Sequence, residues 1–166
     1  MKIFCGLIGT ADAIARARDL LAEEFGEVDC ESPTVDFTFT DYYRAEMGEG
    51  LKRTWVGFRQ RRARGYLALA KHAAVQIEAS LAWHGRRTVN IDPGYIDDAQ
   101  VVLATAKNYS HRLYMGMGYY AEVTLIYEHK GFKFLEWTYP DYRSETALRF
   151  FAEARDAYLG AVRERG

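Results

Sequence analysis

Residues Ser110–Trp137 read SHRLYMGMGYYAEVTLIYEHKGFKFLEW, and this stretch decides the fold. Strand-like runs flank two short glycine-containing breaks, Gly116–Gly118 and Lys130-Gly131, of the kind that close hairpins. The pattern predicts a three-strand antiparallel meander. Closing the first turn at Gly116–Gly118 sets Met115 opposite Tyr119 and Arg112 opposite Glu122. Side chains alternate across a strand, so Arg112, Tyr114, Tyr120, Glu122 and Thr124 share one face. His111, Leu113, Met115, Ala121, Val123 and Leu125 share the other.

Working outward, Lys2–Gly9 is an apolar run that reads as a buried first strand. Thr10 can cap the next helix, in which Ile14, Ala17, Leu21 and Phe25 recur at helical spacing before Gly26. Val35, Phe37 and Phe39 alternate with Asp36, Thr38 and Thr40, the pattern of a half-packed strand. A long loop, Asp41–Gly50, joins it to a second strand, LKRTWVGF (51–58). Gly65–His84 is alanine- and leucine-rich and predicts a helix with a Tyr66, Ala70, Ile77, Leu81 stripe. RTVNIDPGY (87–95) reads as a strand stopping at the turn pair Pro93-Gly94. Asp97 or Asp98 then caps a short helix running to Lys107. After the aromatic turn WTYPDYR (137–143), Ser144 caps a last helix whose stripe is Ala147, Phe151, Ala154, Tyr158 and Val162. The expectation is one α+β domain over residues 1–166. Its sheet is largely antiparallel with helices packed on one face, a ferredoxin-like β-α-β-β-α-β start, and a C-terminal β-meander and helix.

Composition bounds the function. The chain has 166 residues, 49% hydrophobic and 27% charged, a globular balance with no apolar run near the ~20 residues of a membrane span. Its first residues turn polar with no signal-peptide pattern, so the cytoplasm is the expected location and no membrane partner is expected. Cys5 and Cys30 stand alone, outside any CxxC or Cys/His spacing, so no metal centre or disulfide framework is read from them. The net charge of −1 conceals an uneven distribution. Residues 1–50 carry four basic and eleven acidic side chains, whereas residues 51–91 carry nine basic groups and one acid, Glu78.

Four segments carry a resemblance: FTDYYRAEMGEGLKR, NIDPGYI, ATAKNYSHRLYMGMGYYAEVTLIY and FLEWTYPDYR. Together they resemble the prokaryotic family called domain of unknown function 4416, over nearly the whole chain. The resemblance implies no established activity, although some members bear a GTP-binding label. A P-loop needs a glycine-rich turn ending in Gly-Lys-Ser/Thr, so that backbone N–H groups and a lysine surround phosphate. The nearest stretch here, Gly48-Glu49-Gly50-Leu51-Lys52, has the wrong spacing and sets a carboxylate where phosphate would lie. Between Gln60 and Gln76 the chain departs from the family pattern. QRRARG replaces a proline-containing loop, and Ala74-Val75 replaces a Thr-Asn pair, while Lys71 and Glu78 still fit.

The residues that could carry chemistry cluster late in the chain. Arg112 offers two-pronged recognition of phosphate or carboxylate, with Lys107 as a second cation and Tyr120 as a stacking or donating partner. His111, Asp92 and Glu122 are the candidate acid–base groups. Each also has a structural reading: His111 bonded at a strand end, Asp92 capping its turn, Glu122 paired across the strands with Arg112. Asp41, Lys52 and Arg143 complete the ligand-binding candidates. Asp41, Glu46 and Glu49 with Glu122 would make an oxygen-ligand Mg²⁺ site only if folding gathered them, and no metal or cofactor is assigned. The expected function is binding of an anionic or nucleotide-like small molecule, with or without turnover. Two alternatives use other features. One is RNA or protein binding through the arginines of residues 59–64, which a pI near 6.4 disfavours for RNA. The other is an oligomer interface on the tyrosine-rich face.

Overall fold

In the computed structural model, which describes residues 1–163, nine strands form one sheet. The elements are β1 (Lys2–Gly9), α1 (Ala11–Phe25), β2 (Val28–Glu31), β3 (Val35–Asp36), α2 (Arg44–Met47), β4 (Lys52–Arg61), α3 (Leu67–Ser80), β5 (Val89–Ile96), β6 (Gln100–Thr105), β7 (Leu113–Gly116), β8 (Tyr119–Glu128), β9 (Gly131–Phe134) and α4 (Glu145–Arg163). The strand order is β2-β4-β1-β5-β6-β8-β7, with β3 beside β4 and β9 beside β8, and every pairing is antiparallel. The expected α+β class, ferredoxin-like start and late meander are all present. β2-β4-β1-β5 is the ferredoxin-like order, and the meander extends it on the β5 side.

Both faces of the sheet are covered, which corrects the expectation of helices on one face. α1 and α3 pack on one side against Ile3, Cys5, Leu7, Val56, Phe58 and Val102. α4 covers the other, where Phe150, Phe151 and Ala154 meet Phe4, Trp55, Val101 and Leu103. Phe151 alone packs against the rings of Phe4, Trp55 and Tyr142. Burying a side chain of this size contributes about 1.5–3 kcal/mol.

Three local expectations give way. Val35 and Asp36 pair with β4, but Phe37 and Phe39 leave the sheet; they pack in a loop with Tyr43, so their alternation records aromatic packing and not a strand. β4 takes its main partner on that side from the shorter β2, Val28–Glu31. Next, β5 runs straight through Pro93-Gly94. Gly94 is required by close approach: a Cβ there would lie 2.5 Å from both the Val102 carbonyl oxygen and the Phe4 ring. Finally, the predicted 97–107 helix is β6. Val101 and Leu103 face one core and Val102 and Ala104 the other, so a strand covered on both sides lacks alternation. Asp97 caps the preceding turn through the Ala99 and Gln100 N–H groups.

Candidate functional site

The site begins where the sheet divides. β5 pairs with β6 only over Gly94–Ile96, while its earlier half pairs with β1 alone. Proline has no N–H to offer, so Pro93 is a natural end to the second ladder. Beyond it, Asn90 and Asp92 on β5 and Ala104 and Thr105 on β6 become opposite walls of a cavity of about 580 Å³. The orphaned edge of β5 is satisfied from α3: Lys71 donates to the Ile91 carbonyl at 3.1 Å, and Glu78 accepts the Ile91 N–H at 2.5 Å. Burial raises the Glu78 carboxyl above its ordinary range.

One wall is ordered by a relay of side chains. Glu46 of α2 holds Arg87 through Nε at 2.9 Å and Nη2 at 2.6 Å. Arg87 Nη1 then donates to Asn90 Oδ1, and Asn90 Nδ2 to Asp92 Oδ2 at 2.8 Å. Asp92 is thereby fixed at one oxygen while its side chain keeps 30% exposure.

The floor is Arg53 of β4, fully buried. Its guanidinium lies across Gly6, where a Cβ would come within 2.8 Å of Nη2, and is flanked by Trp55 and Tyr142 with ring centres 4.5 and 5.1 Å away. Asp141 Oδ2 is 3.0 Å from Nη2 and Asp92 Oδ2 is 3.8 Å from Nη1. Neither contact has hydrogen-bonding geometry. Among the described residues, the buried side-chain N and O atoms lacking a hydrogen bond are Arg53 Nε, Nη1 and Nη2, Trp55 Nε1 and Tyr142 Oη, all in this one stack. Burial raises the Asp141 carboxyl and the Tyr43 hydroxyl alike, with Asp92 adding to both effects; beside them Arg53 acts in the opposite sense.

The opposite corner is tightly bonded. Glu122 is buried and accepts Arg112 Nε at 2.6 Å and bonds His111 Nε2 at 2.8 Å. Arg112 also donates to the Lys107 carbonyl and the Tyr139 hydroxyl, so each arm of its guanidinium is engaged. The His111 ring stacks on Trp137 at 4.3 Å. Lys107 stands exposed at the rim, its ammonium 4.9 Å from the Tyr42 ring centre. Phe37, Phe39, Tyr42, Tyr43 and Tyr139 complete the aromatic lining.

The sequence profile described as Domain of unknown function (DUF4416) matches residues 1–158. The chain belongs to the DUF4416 family. No curated protein and no solved structure matches it. Lys71 and Glu78 of α3 are the pair that caps the open edge of β5. Where this DUF4416 member has Ala74-Val75, Ala74 is buried and Val75 lines the cavity, giving α3 an apolar face there.

Of the candidates from sequence, Asp92, Lys107, Arg112 and Glu122 line one cavity, and His111 is bonded to Glu122. His111 precedes β7 and reaches the same side of the strands as Arg112, not the opposite one as strict alternation would have it. A bulge between Tyr114 and Gly116 also displaces the expected Met115–Tyr119 pair, though Tyr114 does face Tyr120. Tyr120 itself is paired with Thr105 and packs on Tyr114, outside the lining. Asp41 is exposed and bridges to Arg44, and Lys52 bonds Asp36. Arg143 donates to the carbonyls of Leu135, Glu136 and Thr138, holding the aromatic turn in shape. The carboxylates weighed for Mg²⁺ go separate ways: Glu46 to Arg87, Glu49 to Arg44, Glu122 to His111 and Arg112. No group of three or more potential metal ligands forms among the described residues.

Sequence reading missed Arg53 and Asp141. One signal was present: Arg53 sits two residues before Trp55 in β4, so both share the face turned to a core. A charge in that place needs a reason.

Proposed function

We propose that this chain is a cytoplasmic small-molecule-binding protein whose ligand combines a ring that packs on aromatic side chains with an anionic group, as nucleotides and sugar phosphates do. The observation that carries the reading is the buried guanidinium of Arg53 at the floor of the cavity, whose Nε, Nη1 and Nη2 all lack a hydrogen-bond acceptor. Folded proteins leave few such atoms, and a guanidinium without acceptors in a ligand-sized cleft is suited to acceptors that arrive with a ligand. Lys107, exposed at the rim, supplies attraction for the anion. Asp92, held at one oxygen by Asn90, is the cavity group best placed to exchange a proton with what binds there. Location rests on composition. Among the described residues, no helix is long and apolar enough to cross a membrane.

The arginine stretch gives weaker support to RNA binding. Arg59 bridges to Glu27 and Arg64 to Asp97, and Arg62 lies over the Tyr66 ring. Those side chains already have partners.

Thermal denaturation with nucleoside phosphates and sugar phosphates tests the proposal. A ligand at about a hundred times its Kd stabilises by about 2.7 kcal/mol, which raises Tm by roughly 5–10 °C for a chain of this size. Arg53→Met is expected to abolish the rise and Lys107→Ala to reduce it. A flat response across the whole set removes the proposal.

A further inference from the structure

We propose that the Arg53–Asp92–Asp141 floor recognises the hydroxyl-bearing end of a phosphorylated sugar, leaving its phosphate to Lys107 at the rim. This rests on the small-molecule reading above and fixes which end of the ligand enters first. The charges at the floor decide the orientation. One guanidinium faces two carboxylates, Asp141 at 3.0 Å and Asp92 at 3.8 Å. A phosphate placed there would be a third anion around a single cation, an arrangement that like-charge repulsion disfavours.

A hydroxyl meets the opposite situation. It donates one hydrogen bond and accepts others, whereas ionised carboxylates only accept and guanidinium only donates. Neighbouring hydroxyls can therefore donate to Asp92 and Asp141 while accepting from the N–H groups of Arg53, which have no acceptor at bonding geometry. The flat, partly apolar faces of a sugar ring suit the aromatic lining.

The remaining cations of the cavity point to the rim for the phosphate. Arg87 is engaged by Glu46 and Asn90, Arg112 by Glu122, the Lys107 carbonyl and Tyr139, and Lys71 by the Ile91 carbonyl. Lys107 has only a 3.5 Å contact between its ammonium and the Tyr42 hydroxyl. Among these cations it is the exposed one, where an incoming phosphate can reach it.

Calorimetric titration of the full chain separates this inference from the one beneath it. The probes are ribose 5-phosphate and glucose 6-phosphate, their 2-deoxy counterparts, phenyl phosphate and inorganic phosphate. Binding of at least one sugar phosphate is expected, about tenfold or more weakened by loss of the 2-hydroxyl, because the deoxy ligand leaves a buried polar group unmatched. Asp92→Ala should erase that discrimination, whereas Lys107→Ala should weaken the sugar phosphate and its deoxy analogue alike. Phenyl phosphate binding as well as the sugars, or deoxy sugars binding as well as their parents, overturns the floor assignment while the small-molecule reading stands. Silence from every probe, with no thermal response to nucleotides either, removes both.

Discussion

Two arginines line the same cavity and are treated in opposite ways. Arg112 directs Nε to buried Glu122, Nη1 to a carbonyl and Nη2 to a hydroxyl. Arg53 is more deeply buried and has no donor in a hydrogen bond, only carboxylates at its margin and aromatic rings around it. The difference separates two uses of a buried charge. A fully bonded guanidinium holds parts of a protein together. On the proposed function, one held in place by packing, with its N–H groups unmatched, is a recognition element kept ready at a cost to stability.

The contrast can be broken most directly by replacing each arginine with methionine and comparing urea midpoints. Arg112→Met strips Glu122 of its strongest partner and leaves a buried carboxylate to His111 alone, so a loss of about 3 kcal/mol is expected. Arg53→Met removes donors that were unmatched and fills the space with an apolar chain. Buried Asp141 loses its cation, but its carboxyl is already raised by burial and can take up a proton, so the variant should cost at least about 1 kcal/mol less than Arg112→Met. Equal losses would mean that the Arg53–Asp141 contact is a structural ion pair, and the reading of Arg53 as a recognition element would fall.

Gly6 sharpens the same comparison from the backbone side. Its missing side chain is the space in which the Arg53 guanidinium lies. Gly6→Ala should push the guanidinium from its seat between Trp55 and Tyr142, at a cost of about 1–3 kcal/mol from overpacking. The thermal response to ligand should fall with it. The combined variant Gly6→Ala with Arg53→Met should recover much of the lost stability and none of the binding. If the alanine variant keeps full ligand response, the position of Arg53 over Gly6 does not matter for recognition.

How far the sequence reveals this molecule follows from the range of the interactions involved. The meander is legible because its turns are local: Gly116 and Gly118 take positive φ, and the residues around them alternate. Lys107, Arg112 and Glu122 stand out for a related reason, as polar groups near a strand end or paired across one hairpin, and Asp92 stands out beside a Pro-Gly pair that the strand runs through. Arg53 and Asp141 are 88 positions apart, and their approach depends on the turn before α4 folding onto the face of the sheet to which β4 turns Arg53 and Trp55. Nothing local encodes that. The Pro93-Gly94 pair misled because its ordinary meaning is a turn. Here proline ends one ladder, glycine admits Phe4 and the Val102 carbonyl, and the strand continues. The predicted helix at residues 97–107 failed because a strand buried on both faces has no alternation to read.

The smallest test concerns the open edge of β5, where Glu78 stands in for a missing strand. Its carboxyl is raised above the ordinary 4.5, mainly by burial, with Lys71 and the Ile91 N–H acting against that rise. The folded state therefore binds more protons than the unfolded chain between the ordinary and the raised value. The Glu78 contribution to stability is fully present below that window, declines as pH rises through it, and is constant above. Glu78→Gln keeps an oxygen to accept the Ile91 N–H but cannot titrate. The difference in urea midpoint between variant and parent should thus shift in the variant's favour as pH rises from about 4 toward neutrality. A difference that stays level, or moves the other way, would mean that the carboxylate is welcome at this edge. Lys71 would then be its charge partner as well as a second cap on Ile91, and the divided sheet would be closed by an ion pair across α3.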